Sequence, residues 1–265
     1  GAFTFTTPNA GTSGISGGFT LTTGTASNGD SGGFALSTGD ATSGKSGSML
    51  LKLGTGNTGH GGSFELDVGD TTGSDGDGGS ITVTAGHSND ASGNHGGSIA
   101  ITAGHTKGSE TSDNGGSITV NAGLAATGNG GNIDISTGYS ESTSSGAFTF
   151  TTPNAGSNGV SGGFKFSTGA STGGDSGSFS LTTGDAVNGK AGSFVMKVGS
   201  GNTGVGGDIS VAAGETTDAA SGGMFKVITG RGTKTSSGNL VVETANAGSA
   251  GVSGSVQVNT GTASA

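Results

Sequence analysis

The chain has 265 residues, of which 62 are glycine, and it contains no cysteine and no tryptophan. Its formal net charge is −9, with nine basic residues against 18 acidic ones. This balance lacks the basic stripe that a nucleic-acid partner requires. The absence of cysteine excludes disulfides and thiolate metal sites. No run of 18 apolar residues occurs, so the sequence predicts no insertion into a membrane.

The apolar residues are few but ordered. Leu, Ile, Val and Phe make up 45 of the 265 residues. This share is below the roughly 20% under which chains of high net charge are expected to be disordered. They occur in short alternating bursts such as FTFTT, FELDV and ITVTA. A period of two is typical of strands that are apolar on one side. In FELDV, Phe64, Leu66 and Val68 would share that side and form part of a thin buried core. Glu65 and Asp67 would lie on the other.

The bursts recur every 15 to 19 residues, and nearly all are followed directly by a glycine and a short polar segment. This regularity predicts an all-β fold, a parallel β-solenoid of about 17 coils that forms a single domain over residues 1–265. An up-and-down antiparallel sheet is disfavoured at this stage, because identical loops would have to serve both ends of the strands. The bursts begin at Phe3, Phe19, Phe34, Met49, Phe64, Ile81, Ile99, Ile118, Ile133, Phe148, Phe164, Phe179, Phe194, Ile209, Phe225, Leu240 and Val256.

The short repeats are grouped into a longer repeat. Residues 1–72 align without a gap with residues 146–217, and 43 of the 72 positions are identical. A third, partial copy begins near Ser236. The predicted super-repeats are therefore 1–145, 146–237 and 238–265, and their unequal lengths indicate gain and loss of whole units.

Both ends of the predicted solenoid would present unpaired strand edges. We therefore expect the chain itself to be the main partner, through head-to-tail axial contacts or continuation of a longer chain. Dense serine and threonine make glycans a further candidate partner.

Two stretches carry a family resemblance. SGKSGSMLLKLGTGNTGHGGSFELDVGDTT and TANAGSAGVSGSVQVNTGTAS resemble the long Gly/Ser/Thr-rich repeat proteins of diatoms and other microalgae. The resemblance implies an extracellular or cell-surface location. It supplies no functional residues.

Threonine pairs on the predicted outer side form a candidate binding face. An exposed Thr-x-Thr rank is the arrangement with which ice-binding proteins order water, although threonine also simply suits strand surfaces. Charged residues such as Lys165 and Lys197 interrupt the rank. The candidate residues are Thr4, Thr6, Thr20, Thr22, Thr82, Thr84, Thr149 and Thr151.

No metal, cofactor or catalytic site is predicted. GSDGDGG at 73–79 and GNGGNIDIS at 128–136 resemble calcium-binding turns, but neither is tandem as those turns must be. His87 and His105 hold equivalent places in successive units, which is more often mere stacking than a metal site. His, Ser and Asp occur without a pocket-forming insertion to hold a triad, so the chain is not expected to be an enzyme.

The sequence thus predicts a structural protein, a rigid segment of an extracellular or cell-surface filament, sheath or adhesive fibre. The alternative is a solenoid that binds ice or polysaccharide through the threonine face.

Overall fold

A computed structural model describes residues 1–73, 76–89, 94–108, 110 and 113–262. Within these ranges there is neither a helix nor a strand. The predicted parallel β-solenoid is therefore wrong. The short period itself is visible in the backbone, because bends recur at 12–14, 27–29, 42–44 and 57–59, once in each repeat.

The chain keeps most of its surface in contact with water. Its accessible surface is 26306 Å², whereas a folded protein of its mass, 24.6 kDa, exposes about 10,000 Å². Among the described residues no side chain is buried, and the predicted core residue Phe64 is 64% exposed. The hydrophobic core of the solenoid is therefore absent from the described part of the chain.

Backbone hydrogen bonds in the described ranges occur only where the chain reverses. The N–H of Gly131 donates to the carbonyl of Gly123 (3.0 Å), and the N–H of Gly223 donates to that of Gly214 (2.9 Å). A strand pair needs a ladder of such bonds. These isolated bonds close a loop but do not extend into a ladder, which is why the alternating bursts are not strands.

The contacts across each reversal run in antiparallel register. The ring centroids of Phe150 and Phe164 are 5.5 Å apart, and a Cβ placed on Gly162 would lie 3.5 Å from the Cβ of Thr152. The contact partner therefore changes from Phe164 to Gly162 as the chain runs from Phe150 to Thr152. Residue numbers rise on one segment and fall on the other, which is the antiparallel order. In the predicted solenoid Phe150 would stack on Phe166, but those rings are farther apart, at 6.4 Å.

The same register recurs along the chain. Phe5 contacts Phe19 (5.7 Å), and Thr7 Cβ lies 3.2 Å from the Cβ position of Gly17. Elsewhere the residue that ends one apolar burst lies against the glycine that precedes the next, as in the pairs Thr38–Gly47, Val68–Gly79, Ala85–Gly97, Ala103–Gly116, Ala122–Gly131, Thr168–Gly177, Thr183–Gly192, Ala213–Gly223 and Thr244–Gly254.

Loop length explains why the antiparallel order replaces the predicted parallel one. Parallel neighbours need a crossover of a dozen or more residues, but most connections are shorter, such as residues 8–16 between Thr7 and Gly17. Among the pairs named above, only Ala103 and Gly116 are separated by as many as twelve residues. In an antiparallel order, similar loops must connect the segments at both of their ends. Glycine permits this because it adopts positive and negative φ without a steric penalty. Gly59 and Gly204 adopt a φ of 73°, a value that other residues rarely reach.

The chain divides into two units, Gly1–Ile135 and Ser136–Ala265. Each contains the same succession of apolar bursts and glycine-rich reversals. The boundary lies within the ninth repeat, which begins at Ile133.

The antiparallel register can be tested by disulfide formation. Cysteines at Thr152 and Gly162 would have Cβ atoms about 3.5 Å apart, within the range of about 3.5–4.5 Å that a disulfide requires. We expect the Thr152→Cys/Gly162→Cys variant to oxidise rapidly within one chain, as measured by a mobility shift under non-reducing conditions. The control, Thr152→Cys/Thr168→Cys, places the pair in the parallel register. Faster oxidation of the control would contradict the antiparallel order.

The close approach at the reversals can be tested by adding a side chain. A Cβ on Gly131 would lie 3.2 Å from the backbone nitrogen of Gly123, whereas Gly128 faces open space. Gly131→Val should push the two backbones apart and break their hydrogen bond. Amide hydrogen exchange at position 131 should then accelerate, by roughly two- to tenfold given the net strength of one such bond. Gly128→Val is the matched control, and unchanged exchange in Gly131→Val would refute the contact.

Candidate interaction surface

Alternation puts the apolar side chains of each burst on one side. Within a burst, the rings of Phe148 and Phe150 are 4.5 Å apart and nearly perpendicular, as are those of Phe164 and Phe166. Side chains two positions apart meet in this way only where successive residues of an extended chain point to opposite sides. The alternating apolar residues therefore share one side, as the sequence predicts, whereas further apolar residues occupy intervening positions, namely Leu50, Val195, Met224, Ile228 and Val241.

The antiparallel register carries that side across the reversals. Phe150 contacts Phe164 at 5.5 Å, and Phe166 contacts Phe179 at 5.7 Å. Together with the contacts within each burst, five rings form one continuous set in the second unit. We call Phe148, Phe150, Phe164, Phe166 and Phe179 the aromatic ladder. Edge-to-face and tilted pairs at these distances are favourable geometries for aromatic rings.

The first unit repeats this arrangement in a shorter form. Phe3 contacts Phe5 edge to face (4.9 Å), and Phe5 contacts Phe19. A hollow of about 680 Å³ lies further along the unit and is lined by Leu51, Leu53, Phe64 and Lys52. It is part of the same apolar side, because three of its four lining residues belong to the alternating apolar positions.

Charge is confined to the other side of the bursts. Each charged residue within the bursts falls between two apolar-side positions, so the alternation directs it away from the aromatic ladder and its equivalents. The apolar side of the bursts, which we call the charge-free face, therefore has no ionisable residue at its own positions, although Lys52 from the intervening position also lines the hollow beside Leu51 and Leu53. The charged residues on the opposite side are Lys52, Glu65, Asp67, Asp134, Lys165, Lys197, Asp208, Lys226 and Glu243.

The charge-free face is uncovered. The five rings of the aromatic ladder are 55–60% exposed. Exposed apolar patches larger than a few hundred Å² mark interaction sites in soluble proteins. The alternation predicts a buried core for these residues, and this prediction is wrong for the described chain. The separation of apolar from charged positions, which the same alternation shows, is the signal for an exposed surface.

The eight candidate threonines are exposed, but the register does not assemble them into one rank. The pairing of Phe5 with Phe19 sets Thr4 opposite Thr20. The pairing of Phe150 with Phe164 sets Thr149 opposite Lys165. Thr4, Thr6, Thr20 and Thr22 belong to neighbouring bursts, whereas Thr82/Thr84 and Thr149/Thr151 belong to bursts remote in the sequence.

The candidate metal-binding stretches show no assembled site. Within the described ranges, no three His, Asp or Glu side chains converge closely enough to hold a metal ion. Residues 74 and 75 of the 73–79 stretch lie outside those ranges. His87 and His105 are exposed. No described helix is long and apolar enough to cross a membrane.

Comparison with known proteins adds no relative. No protein-family model matches the chain, and neither a curated protein nor a solved structure matches it. The charge-free face and the repeat are therefore the features that bear on the function of this chain.

Exposure of the apolar side can be measured with a single fluorescent reporter, because the chain has no tryptophan. Phe166 lies on the charge-free face and is 60% exposed, while Lys165 lies on the other side. In dilute solution, Phe166→Trp should be quenched by acrylamide as readily as Lys165→Trp. A blue-shifted, protected signal in the Phe166→Trp variant alone would show that this side is buried within one chain.

Proposed function

We propose that this protein is a non-enzymatic structural component of an extracellular fibre, sheath or surface layer, built by association of many chains. The observation that carries the proposal is the charge-free face, which recurs from burst to burst and is uncovered in the single chain. The proposal does not involve stacked solenoid ends, because the described chain forms no coils.

Energetics support association. Ordering a residue costs about 1–2 kcal/mol of backbone entropy, and burial of apolar surface is the main term that offsets this cost. The chain exposes 26306 Å², roughly 16,000 Å² more than a folded protein of its mass. A structure with so little burial gains stability when other molecules cover its apolar side.

The repeat supports a mechanical role over a binding pocket. A pocket needs unlike groups that converge on one ligand, whereas this chain repeats the same alternation of apolar and intervening positions at each burst. The first two super-repeats are identical at 43 of 72 positions, so one chain contains several equivalent contact surfaces. Such surfaces suit assembly, because each added copy makes the contacts that the previous copy made.

The polar side supports a hydrated exterior. The reversals are rich in Gly, Ser, Thr, Asn and Asp, and the net charge of −9 opposes nonspecific clumping. The resemblance to microalgal surface repeat proteins favours the extracellular or cell-surface location. Glycans attached to or bound by the Ser/Thr-rich side remain part of the proposal as partners.

Assembly is the direct test. Purified full-length chain should associate as its concentration rises in sedimentation velocity experiments, and negative-stain electron microscopy should show fibres or sheets. Sulfate should promote association and urea should reverse it, as expected for apolar contacts. Sodium chloride is the control for charge-driven association, which it would weaken. A chain that stays monomeric at all concentrations and forms no fibres would refute the structural role.

A further inference from the structure

We infer that the charge-free face is covered by the same face of a second copy of this chain. This inference rests on the proposed structural function and identifies the partner in the assembly. The contact is thus face to face, with both polar sides turned to water. Area, charge and repetition each lead to this partner.

The face is large enough for a stable interface. A fully buried aromatic side chain removes about 150–250 Å² from water, so five rings at 55–60% exposure offer about 400–700 Å². A standard interface requires about 800 Å² from each partner. The next apolar-side residues, Leu181, Phe194 and Met196, are 60–65% exposed and supply the remainder. The second unit alone therefore provides sufficient area.

Charge selects this face for contact between identical chains. Contact through the charged side would cost the desolvation of Lys, Asp and Glu side chains on both copies. Burying Lys165 or Glu243 without a partner would also cost several kcal/mol. The charge-free face avoids both costs. An anionic membrane surface is a poorer occupant, because an acidic chain without a basic rim gains no electrostatic attraction there.

Repetition makes the contact open-ended. Since successive bursts present the same kind of side chain in alternating directions, a second copy can shift by two bursts and meet an equivalent surface. A shifted copy leaves part of each face uncovered, and that part accepts a third copy. Contacts of this kind do not close and propagate into a fibre.

Association should also order the backbone. Packing two apolar faces removes water from nearby N–H and C=O groups, which must then find hydrogen-bond partners. The segments are already in antiparallel register, so ladders between neighbours are the available partners. We therefore expect a β-sheet circular dichroism signal to grow with assembly.

Single-cysteine cross-linking of the full-length chain tests the contact. The chain has no cysteine, so each disulfide in a single-cysteine variant must join two copies. Leu181→Cys lies on the charge-free face, and Thr182→Cys is the adjacent control on the other side. At a concentration where the unsubstituted chain associates, Leu181→Cys should form disulfide-linked dimers at least tenfold faster than Thr182→Cys. Leu181→Glu should abolish association, whereas Thr182→Glu should leave it intact.

The outcomes separate the two proposals. If fibres form but Thr182→Cys cross-links as fast as Leu181→Cys, or Leu181→Glu still associates, the face-to-face contact is overturned and the structural role stands. If the unsubstituted chain never associates, both are overturned. Binding of the monomeric chain to phosphatidylcholine vesicles, abolished by Leu181→Glu, would assign the face to lipid and overturn the inference.

Discussion

The close contact between a glycine and the residue that ends the preceding apolar burst is the constraint on which the rest of this structure depends. At Gly131 the backbone comes so near to Gly123 that a Cβ would crowd its nitrogen at 3.2 Å, and the same approach brings the two within hydrogen-bonding distance. Glycine permits this close backbone approach because it has no side chain. Through this contact each reversal fixes the register of the bursts on either side, and hence which side chains meet.

That register explains how an apolar side can be continuous without being buried. Antiparallel neighbours keep like positions on one side, so Phe150 meets Phe164 and Phe166 meets Phe179. Nothing in the described residues buries that side, however, and the rings remain more than half exposed. A parallel coil would instead have wrapped the chain around those rings. The exposed face, and with it the case for association between chains, follows from the direction in which the loops turn.

The separation of charge from the apolar side gives this face its selectivity. Lys197 and Glu65 lie between apolar-side residues, so the alternation directs them to the opposite side. The face therefore combines exposure with the absence of ionisable residues at its own positions. Contact through this face leaves the charged side chains of both copies in water, where they carry no desolvation cost. The same alternation therefore provides a hydrated exterior and an apolar contact surface on one short repeat.

The sequence by itself determined the local features: the period of about 15 residues, the bursts and reversals, and the side on which Phe64 and Glu65 each lie. These features depend on neighbours two to four positions away, which alternation and glycine placement specify directly. It did not determine whether successive bursts run parallel or antiparallel, because a period of two is the same in both directions. Only the tertiary contacts decided that question, when Phe150 paired with Phe164 rather than stacking on Phe166. They also decided that Phe64 is exposed rather than part of a core, because burial depends on whether the chain closes around a residue.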